Sequence, residues 1–418
     1  MEVDVNLDAI NQHETIMAWL SADDALKILN VRAQTLYANV SRGKIRAKRD
    51  TRDPRRSVYH RDDVMRLAKR PQGRRKVEAV SAEAIEWGDP VLPSAISTVS
   101  AGQLWYRGHN AVELAAHASL EEVAALLWES DAVQFDDAGV VPDADSKSAP
   151  VDNATGSLNA GLLALAARCA GDLPTYGRAA PLLRLEAADV FRTLAHAMLG
   201  REPRERGRKL RTQRSLSARI AATWNRQEHE DPIRRTLVLL ADHELNASTF
   251  ATRVTISTGA SLSAGVLAGL TTLTGPLHGG ASASMKTLLA SSVQTGSEAA
   301  VREWLAQGRP FPAFGHPLYP DGDPRAKALL EQIDVPEEFS ELAAAVERLV
   351  GERPNVDFAL AALSVACRLP AGAPLMLFAL GRCVGWLAHA LEQAANGRLI
   401  RPRARYVGVA LDGENAPR

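Results

Sequence analysis

Apolar residues recur at spacings of three and four along most of the chain, and this periodicity predicts helices. Pro181–Leu199 is the clearest example, and shorter segments of the same kind cover Val112–Ala116 and Leu120–Trp128. Strand-like alternation is limited to short pieces near Ala95–Val99 and Leu104–Tyr106. Hydrophobic residues make up 46% of the chain and aromatic residues only 5%, so we expect a core of Ala, Leu and Val. Since Ala and Leu favour helices, the sequence predicts a mainly α-helical fold.

Residues 17–70 show a different pattern, in which short helices accompany a basic hairpin. A helix capped by Ser21 ends near Leu29, and a second helix covers about Arg32–Ser41. A basic hairpin follows over Lys44–Tyr59, and a third helix over His60–Lys69. This order resembles the small winged helix-turn-helix domains of the MerR and excisionase type.

That resemblance implies binding to duplex DNA, with the second helix in the major groove and the wing on phosphates. The candidate DNA-contacting residues are Arg32, Gln34, Thr35, Arg42 and Lys44. The alternative is a basic surface on a small dimerisation or RNA-contacting module.

The net charge of zero hides an uneven distribution. Residues 27–76 contain 17 Lys and Arg against 4 Asp and Glu, and the rest of the chain is acidic by the same margin. A basic block joined to an acidic body indicates two modules with different partners. We expect a basic linker over residues 71–83, where Pro71–Lys76 interrupts the helical pattern.

Three cysteines, Cys169, Cys367 and Cys383, show no metal-binding spacing, which favours reduced thiols in a cytoplasmic protein. The polar start of the chain and the lack of a membrane-length apolar run predict neither export nor a membrane span. We expect a surface loop over Asp131–Ser157. The basic stretch Arg201–Arg214 is either a solvated loop or a contact for an anionic cofactor such as coenzyme A.

Four segments in the second half of the chain carry the candidate chemistry. Their sequences are DHELNAS from Asp242, GPLHGG from Gly275, FGHPLY from Phe314 running on to DPR at Asp323, and NVDF from Asn355. His278 and His316 lie in turns where glycine lets a ligand approach the backbone. A zinc site is the competing interpretation, but the three histidines are 35 and 38 residues apart and no thiolate is near, so we expect no metal. Asp357 opens a helix, where the dipole favours an ionised base.

The order of these motifs, followed by GRCVGWLAH from Gly381 and RPRARY from Arg401, closely resembles citrate synthase and 2-methylcitrate synthase. The resemblance covers about Ala84–Val407 and implies an all-helical second module over 84–408. Its large domain would be interrupted by a small domain at roughly 281–380.

The resemblance also implies roles for individual residues. Asp357 would remove a methyl proton from an acyl-CoA thioester, with acetyl-CoA expected, and His278 would hydrogen-bond to the thioester oxygen. His316 would polarise the ketone of oxaloacetate. The implied carboxylate-binding residues are His243, Arg325, Arg382 and, from the neighbouring subunit of a homodimer, Arg401. The backbone that would lie against the coenzyme A adenine is Pro312, Ala313, Phe314 and Gly315. The thioester would be a co-substrate, and no permanently bound cofactor is implied.

Three residues depart from the family pattern. Ala313 stands where glycine is usual, Pro317 follows His316, and Ser282 replaces a common asparagine. Because all three lie near the acyl and cofactor pocket, propionyl-CoA as substrate and cleavage of citryl-CoA stay open as alternatives. A third possibility is a DNA-binding regulator whose synthase-like body senses citrate or an acyl-CoA.

Overall fold

The computed structural model describes residues 19–29, 36, 39–40, 44–50, 53, 56–68, 92–135, 154–200, 215–279, 281–308, 311–404 and 408. The chain forms two compact units, residues 1–93 with 404–418 and residues 94–403. Each unit is described by itself below.

The first unit contains a small antiparallel sheet beside short helices. Its elements are β1 (Trp19–Leu20), α1 (Ala22–Leu29), β2 (Ala47–Arg49), β3 (Ser57–His60) and α2 (Arg61–Ala68). The strand order is β1-β3-β2, so β2 lies at an edge and all three of its residues are exposed. The buried apolar residues of this unit are Ala25, Leu29, Leu36, Ile45, Tyr59 and Val64.

Most predicted elements of this unit are present. Ser21 accepts a hydrogen bond from the Asp24 N–H at 3.1 Å and so caps α1, and the basic hairpin and the third helix also form. The strand β1 was not predicted, because two residues are too few to show an alternating pattern. Of the second helix, Leu36 and two later residues are described and are helical.

The candidate DNA-contacting residues Arg32, Gln34, Thr35 and Arg42 lie outside the described residues. Lys44 is described and exposed, three residues before the edge strand β2 begins at Ala47. The winged helix-turn-helix interpretation therefore stays a prediction.

The second unit begins with a three-stranded antiparallel sheet, β4 (Ser97–Ser100), β5 (Gln103–Tyr106) and β6 (His109–Asn110). The remaining elements are helices, which confirms the mainly helical prediction. They are α3 (Ala111–His117), α4 (Leu120–Trp128), α5 (Ala154–Cys169), α6 (Ala180–Leu199), α7 (Leu216–Thr223), α8 (Glu230–Leu240), α9 (Ala247–Ser257), α10 (Leu262–Leu273), α11 (Ala281–Thr295), α12 (Ser297–Ala306), α13 (Pro324–Leu330), α14 (Glu337–Val350), α15 (Val356–Ala366) and α16 (Ala373–Asn396).

Helix α16 lies at the centre of the larger core. It has 24 residues and packs against α6, α8, α9 and α10. By length and composition α16 could cross a membrane, but 89% of its most apolar window is buried inside the unit. Its burial is therefore that of a core helix.

Glycine at position 385 allows α16 to approach the turn after α8. A Cβ at Gly385 would overlap the carbonyl oxygen of Ala241 and the side chain of Asp242. This contact brings α16 against the segment that carries the first of the four motifs.

A second, smaller core forms among α11, α12, α14 and α15. Its largest buried side chains are Trp304, Phe314, Phe339 and Phe358. From Ala373 onwards the chain packs in the larger core. The residues of the smaller core fall between Met285 and Ala362, inside the proposed small domain at 281–380, whose bounds stay a prediction.

Candidate active site

The turn between α8 and α9 presents His243 and is held from both sides by the first hairpin of the unit. Glu244 has a left-handed backbone with φ +51°, a conformation that costs a non-glycine residue energy. Its carboxylate accepts a hydrogen bond from the Val99 N–H at 2.6 Å, and the hydroxyl of Ser97 donates to Asp242. The hydroxyl of Tyr106 lies 3.2 Å from the Asp242 carbonyl oxygen. These bonds to both neighbours of His243 fix its position.

The buried His243 and Tyr319 form a cluster of rings with the half-buried His316. The ring centroids of the two histidines are 5.0 Å apart, and the Tyr319 hydroxyl lies 2.9 Å from His243 Nε2. Burial, reinforced by the charges of Arg325 and Arg382, holds the pKa of His243 well below its ordinary value. The imidazole is therefore neutral at physiological pH.

His316 has a defined tautomer. Its Nδ1 accepts a hydrogen bond from the Leu318 N–H at 3.2 Å, so the ring proton is on Nε2. Burial, followed by the charge of Arg325, lowers the pKa of His316 to about 4. A neutral Nε2–H is a donor suited to a carbonyl oxygen, which is the role that the resemblance implies.

Arg325 is fully buried and forms a two-point ion pair with Asp323. The distances are 3.0 Å from Nε to Oδ1 and 2.8 Å from Nη2 to Oδ2. Burial opposes its charge, but Asp323 outweighs burial and raises the pKa of Arg325 above the ordinary value. Asp323 also accepts a hydrogen bond from the Val356 N–H at 3.0 Å, which connects this pair to the start of α15.

Asp357 lies in the first turn of α15, whose N-cap is Asn355. The Asn355 side chain accepts a hydrogen bond from the Asp357 N–H at 3.0 Å. Burial raises the pKa of Asp357 to about 6, although Arg325 and Arg382 act in the opposite direction. The carboxyl is therefore ionised at physiological pH and is a stronger base than an ordinary aspartate.

His278 is connected to α16 through Ser248. Its Nε2 lies 2.9 Å from Ser248 Oγ, which accepts a hydrogen bond from Trp386 Nε1 at 3.1 Å and lies 2.7 Å from Asn246 Oδ1. The single hydroxyl proton of Ser248 can go to the histidine or to Asn246, and the first choice leaves the imidazole proton on Nδ1. Burial, followed by the charge of Arg382, lowers the pKa of His278 to about 4.

Arg382 projects from the middle of α16 into the same region. Its Nε donates to the Leu240 carbonyl oxygen at 2.9 Å, and its guanidinium carbon lies 4.8 Å from the centre of the Phe378 ring. Burial lowers the pKa of Arg382 to about 10, so the group remains charged at physiological pH. A buried cation with donors to spare is suited to a carboxylate.

The predicted adenine-binding loop adjoins the start of α15. Ala313 has φ +68° and Gly315 has φ +65°, so the usual glycine at position 313 would suit the backbone better than alanine does. The Ala313 carbonyl oxygen accepts a hydrogen bond from the Asn355 N–H at 3.0 Å, and the Gly315 N–H donates to the Arg353 carbonyl oxygen at 2.8 Å. The loop and the N-cap of α15 are therefore held together.

The structure brings together His243, His278, His316, Arg325, Asp357 and Arg382 around one region of the second unit, as their mutual electrostatic effects show. Arg401 is exposed and lies near the end of the unit. The side chain of Ser282 is not described. Among the described residues there is no group of three or more His, Cys, Asp and Glu that could hold a metal ion.

Sequence reasoning assigned no role to Tyr319, Ser248 or Asp323. All three belong to the motifs, but their partners become visible only in the fold. Tyr319 and His243, for example, are 76 positions apart in the sequence.

Similarity to known proteins extends over most of the second unit. The family model for the C-terminal domain of citrate synthase matches residues 86–403. Citrate synthase of Haloferax volcanii is 33% identical over 343 residues, which cover 74% of this chain and 90% of that protein. The 2-methylcitrate synthase of Mycobacterium tuberculosis is 27% identical over 372 residues, covering 77% of this chain and 89% of the relative.

A solved structure has the same fold. It is citrate synthase of Thermoplasma acidophilum in ternary complex with carboxymethyl coenzyme A and oxaloacetate. The TM-score is 0.61 at 24% identity, with 78% of this chain and 96% of the other chain covered.

Proposed function

The chain belongs to the citrate synthase family, and from this premise we propose that its second unit condenses acetyl-CoA with oxaloacetate to give citrate and coenzyme A. The observation that carries the proposal is the set of residues around Asp357. An ionised carboxylate, two neutral imidazoles with pKa values of about 4 and two buried arginines lie in one region.

The first step is removal of a methyl proton from the thioester by Asp357. The methyl proton next to the thioester is far less acidic than the proton of a carboxylic acid, so the developing charge on the carbonyl oxygen needs stabilisation. His278 supplies a hydrogen bond from Nδ1–H in the tautomer in which Ser248 donates its hydroxyl proton to Nε2. The product of this step is an enolate whose oxygen accepts the hydrogen bond from His278, and Asp357 beside it is now neutral.

In the second step the enolate carbon attacks the ketone carbon of oxaloacetate, and the thioester carbonyl forms again. His316 Nε2–H donates a hydrogen bond to the ketone oxygen and protonates the alkoxide that forms. The carboxylates of oxaloacetate are held by His243, Arg325 and Arg382, where the planar guanidinium suits two-point binding. Water then cleaves the citryl thioester and releases citrate and coenzyme A.

Coenzyme A enters as the thioester co-substrate, with its adenine against the Pro312–Gly315 backbone. No permanently bound cofactor takes part in these steps. The positive φ angles of Ala313 and Gly315 support the placement, because they shape a turn whose backbone is open to a ligand.

The test is release of free thiol from acetyl-CoA in the presence of oxaloacetate. We expect turnover by the wild-type protein and a loss of at least about a thousandfold in Asp357→Asn. Absence of turnover with both acetyl-CoA and propionyl-CoA in the wild type would contradict the proposal. Parallel assays with acetyl-, propionyl- and butyryl-CoA decide whether 2-methylcitrate is the preferred product, since one methyl group is worth only about 1–3 kcal/mol in a pocket.

A homodimer with Arg401 acting in the partner's site accompanies this function. Large apolar side chains are exposed on α5, on α6 and on the segment between them. They are Leu163, Leu173, Tyr176, Leu182 and Leu185. Because α5 and α6 pack side by side, these residues support a face that a second copy of the chain covers.

DNA binding by the first unit is a second candidate function, in a cytoplasmic protein. The supporting observation is the edge strand β2, whose residues, including Lys48 and Arg49, are all exposed and lie within the basic block. A mobility-shift series with the DNA upstream of the chain's own gene should show binding that weakens steeply as salt rises. No shift at low salt would exclude this function.

A further inference from the structure

Tyr319 contacts both imidazoles that serve oxaloacetate in the proposed function. Its side chain is 2% exposed, and its hydroxyl lies 2.9 Å from His243 Nε2. Its ring centroid lies 5.0 Å from that of His316. The guanidinium carbon of Arg325 lies 5.4 Å from the same ring. One side chain therefore contacts three of the proposed site residues, His316 and Arg325 of its own motif and His243 of the first motif.

The backbone around Tyr319 leaves this side chain little freedom. Its N–H donates to the His316 carbonyl at 2.8 Å, and its own carbonyl accepts from the Gly322 N–H at 3.0 Å. Pro317 and Pro320 restrict the backbone on either side. The segment is a pair of consecutive tight turns, so the position of the phenol is set by the backbone and not by a flexible loop.

The hydrogen bond between Tyr319 and His243 joins two neutral groups. Burial raises the pKa of Tyr319 to about 12, and burial also keeps His243 neutral by lowering its pKa. The phenol therefore keeps its proton at every pH at which the enzyme would be assayed. Either partner can donate, and in both cases the bond fixes the rotation of the His243 ring about its χ2 angle.

We propose that Tyr319 is a positioning residue with two separable parts. The hydroxyl holds His243 in the orientation that binds a carboxylate of oxaloacetate, and the ring supports His316 beside the ketone. This inference rests on the proposed function, because it assigns Tyr319 to the oxaloacetate half of the site. Asp357 and His278, which act on the thioester, have no contact with Tyr319 among the hydrogen bonds and ring contacts of the described residues.

Two substitutions separate the parts. Tyr319→Phe removes the hydroxyl and keeps the ring, so we expect the KM for oxaloacetate to rise about tenfold, as for loss of one hydrogen bond. The kcat and the KM for acetyl-CoA should stay within about twofold. Tyr319→Leu removes the ring as well, and kcat should then fall by at least about tenfold because His316 loses its support.

Tyr59→Phe is the matched control, since Tyr59 is an equally buried tyrosine of the first unit. It should change none of the three kinetic constants. Melting temperatures of all variants show whether a loss of activity arises from unfolding. Unfolding would lower the active fraction, and with it kcat, without a specific change in the KM for oxaloacetate.

An unchanged KM for oxaloacetate in Tyr319→Phe overturns the role of the hydroxyl, and equal kcat values in the Phe and Leu variants overturn the role of the ring. If the wild type has no turnover, the proposed function fails first. Calorimetric titration with oxaloacetate then decides the inference alone: weaker binding by Tyr319→Phe supports it, and equal binding, or none by the wild type, overturns it.

Discussion

At the scale of single residues, burial sets the protonation of the groups that would carry the reaction. Desolvation moves the aspartate and the histidines in opposite directions, because it disfavours the charged form of each. The pKa of Asp357 rises to about 6, and those of His278 and His316 fall to about 4. An ionised base and two neutral donors can therefore coexist over a wide range of pH.

This arrangement predicts the acid limb of the pH profile. The proposed base must be unprotonated, so kcat/KM for acetyl-CoA should fall as the pH decreases through about 6, the pKa of Asp357 in the free protein. The two imidazoles are already neutral there and should add nothing to the limb. Thiol release measured from pH 4.5 to 8.5 checks this, and a limb centred near 4 would contradict it.

The raised pKa also has a cost in stability. The folded value is about 6 against an ordinary value of 3.8, so stability is lost as the pH rises from 3.8 through 6. Asp357→Asn should therefore stabilise the protein by on the order of 1–3 kcal/mol at pH 8, at the rate of about 1.4 kcal/mol per pKa unit. The gain should vanish near pH 4.

Thermal unfolding of Asp357→Asn at pH 4 and pH 8 measures this difference. The control is Asp321→Asn, which changes an exposed carboxyl group. If the gain in stability over the wild type is no larger at pH 8 than at pH 4, the folded protein does not hold the Asp357 charge at a cost.

At the scale of elements, the close approach of α16 to the turn before α9 determines where His243 and Arg382 lie. Arg382 is on α16, and His243 follows Asp242, which Gly385 of the same helix meets without a side chain between them. A displacement of the helix would therefore move two of the proposed carboxylate-binding residues together.

Gly385→Ala tests this packing. The added methyl group overlaps backbone and a buried side chain, so we expect a loss of about 2–4 kcal/mol in the free energy of unfolding. The KM for oxaloacetate should rise in the fraction that still folds. Gly171→Ala is the matched control, because the nearest atom to its Cβ would be 3.9 Å away. Equal stability of the two variants would contradict the argument.

The elements that the sequence predicted are those with a local cause. Helix α6 was found from its apolar spacing and α1 from its serine cap, within one or two residues. The pattern also placed Asp357 in the first turn of a helix, as the structure has it. What it could not provide was the Tyr319–His243 contact or the Ser248–Trp386 contact, since each joins residues far apart in the chain. The pKa shifts could not be predicted from the sequence either, because the burial of a side chain depends on every neighbouring element.

At the scale of the whole molecule, the proposed dimer makes each site depend on two chains. If Arg401 acts in the partner's site, a mixture of Asp357→Asn and Arg401→Ala subunits restores one complete site in each mixed dimer. Random association of equal amounts should then give about a quarter of wild-type activity. Mixing and thiol-release assays measure this. No recovery would place Arg401 in its own subunit's site, and wild-type activity of Arg401→Ala alone would place it outside the reaction.

The apolar face offers an independent test. Leu185 is 71% exposed, and an aspartate there would introduce a charge that the partner buries without compensation. We expect Leu185→Asp to shift the protein from dimer to monomer in sedimentation velocity and to lose activity. Leu305→Asp, on α12 away from this face, should remain dimeric.

The hairpin of β4 and β5 limits how far the second unit can be shortened from its N-terminal side. A shortened chain that starts at Ala111 would keep all four motifs and every candidate catalytic side chain. It would lose the Ser97 and Val99 bonds and the Tyr106 hydroxyl that hold the backbone on both sides of His243. The smallest active fragment therefore cannot be chosen from the motifs alone. Its first residue must precede β4, whose Ser97 lies 145 positions before Asp242, the residue next to His243.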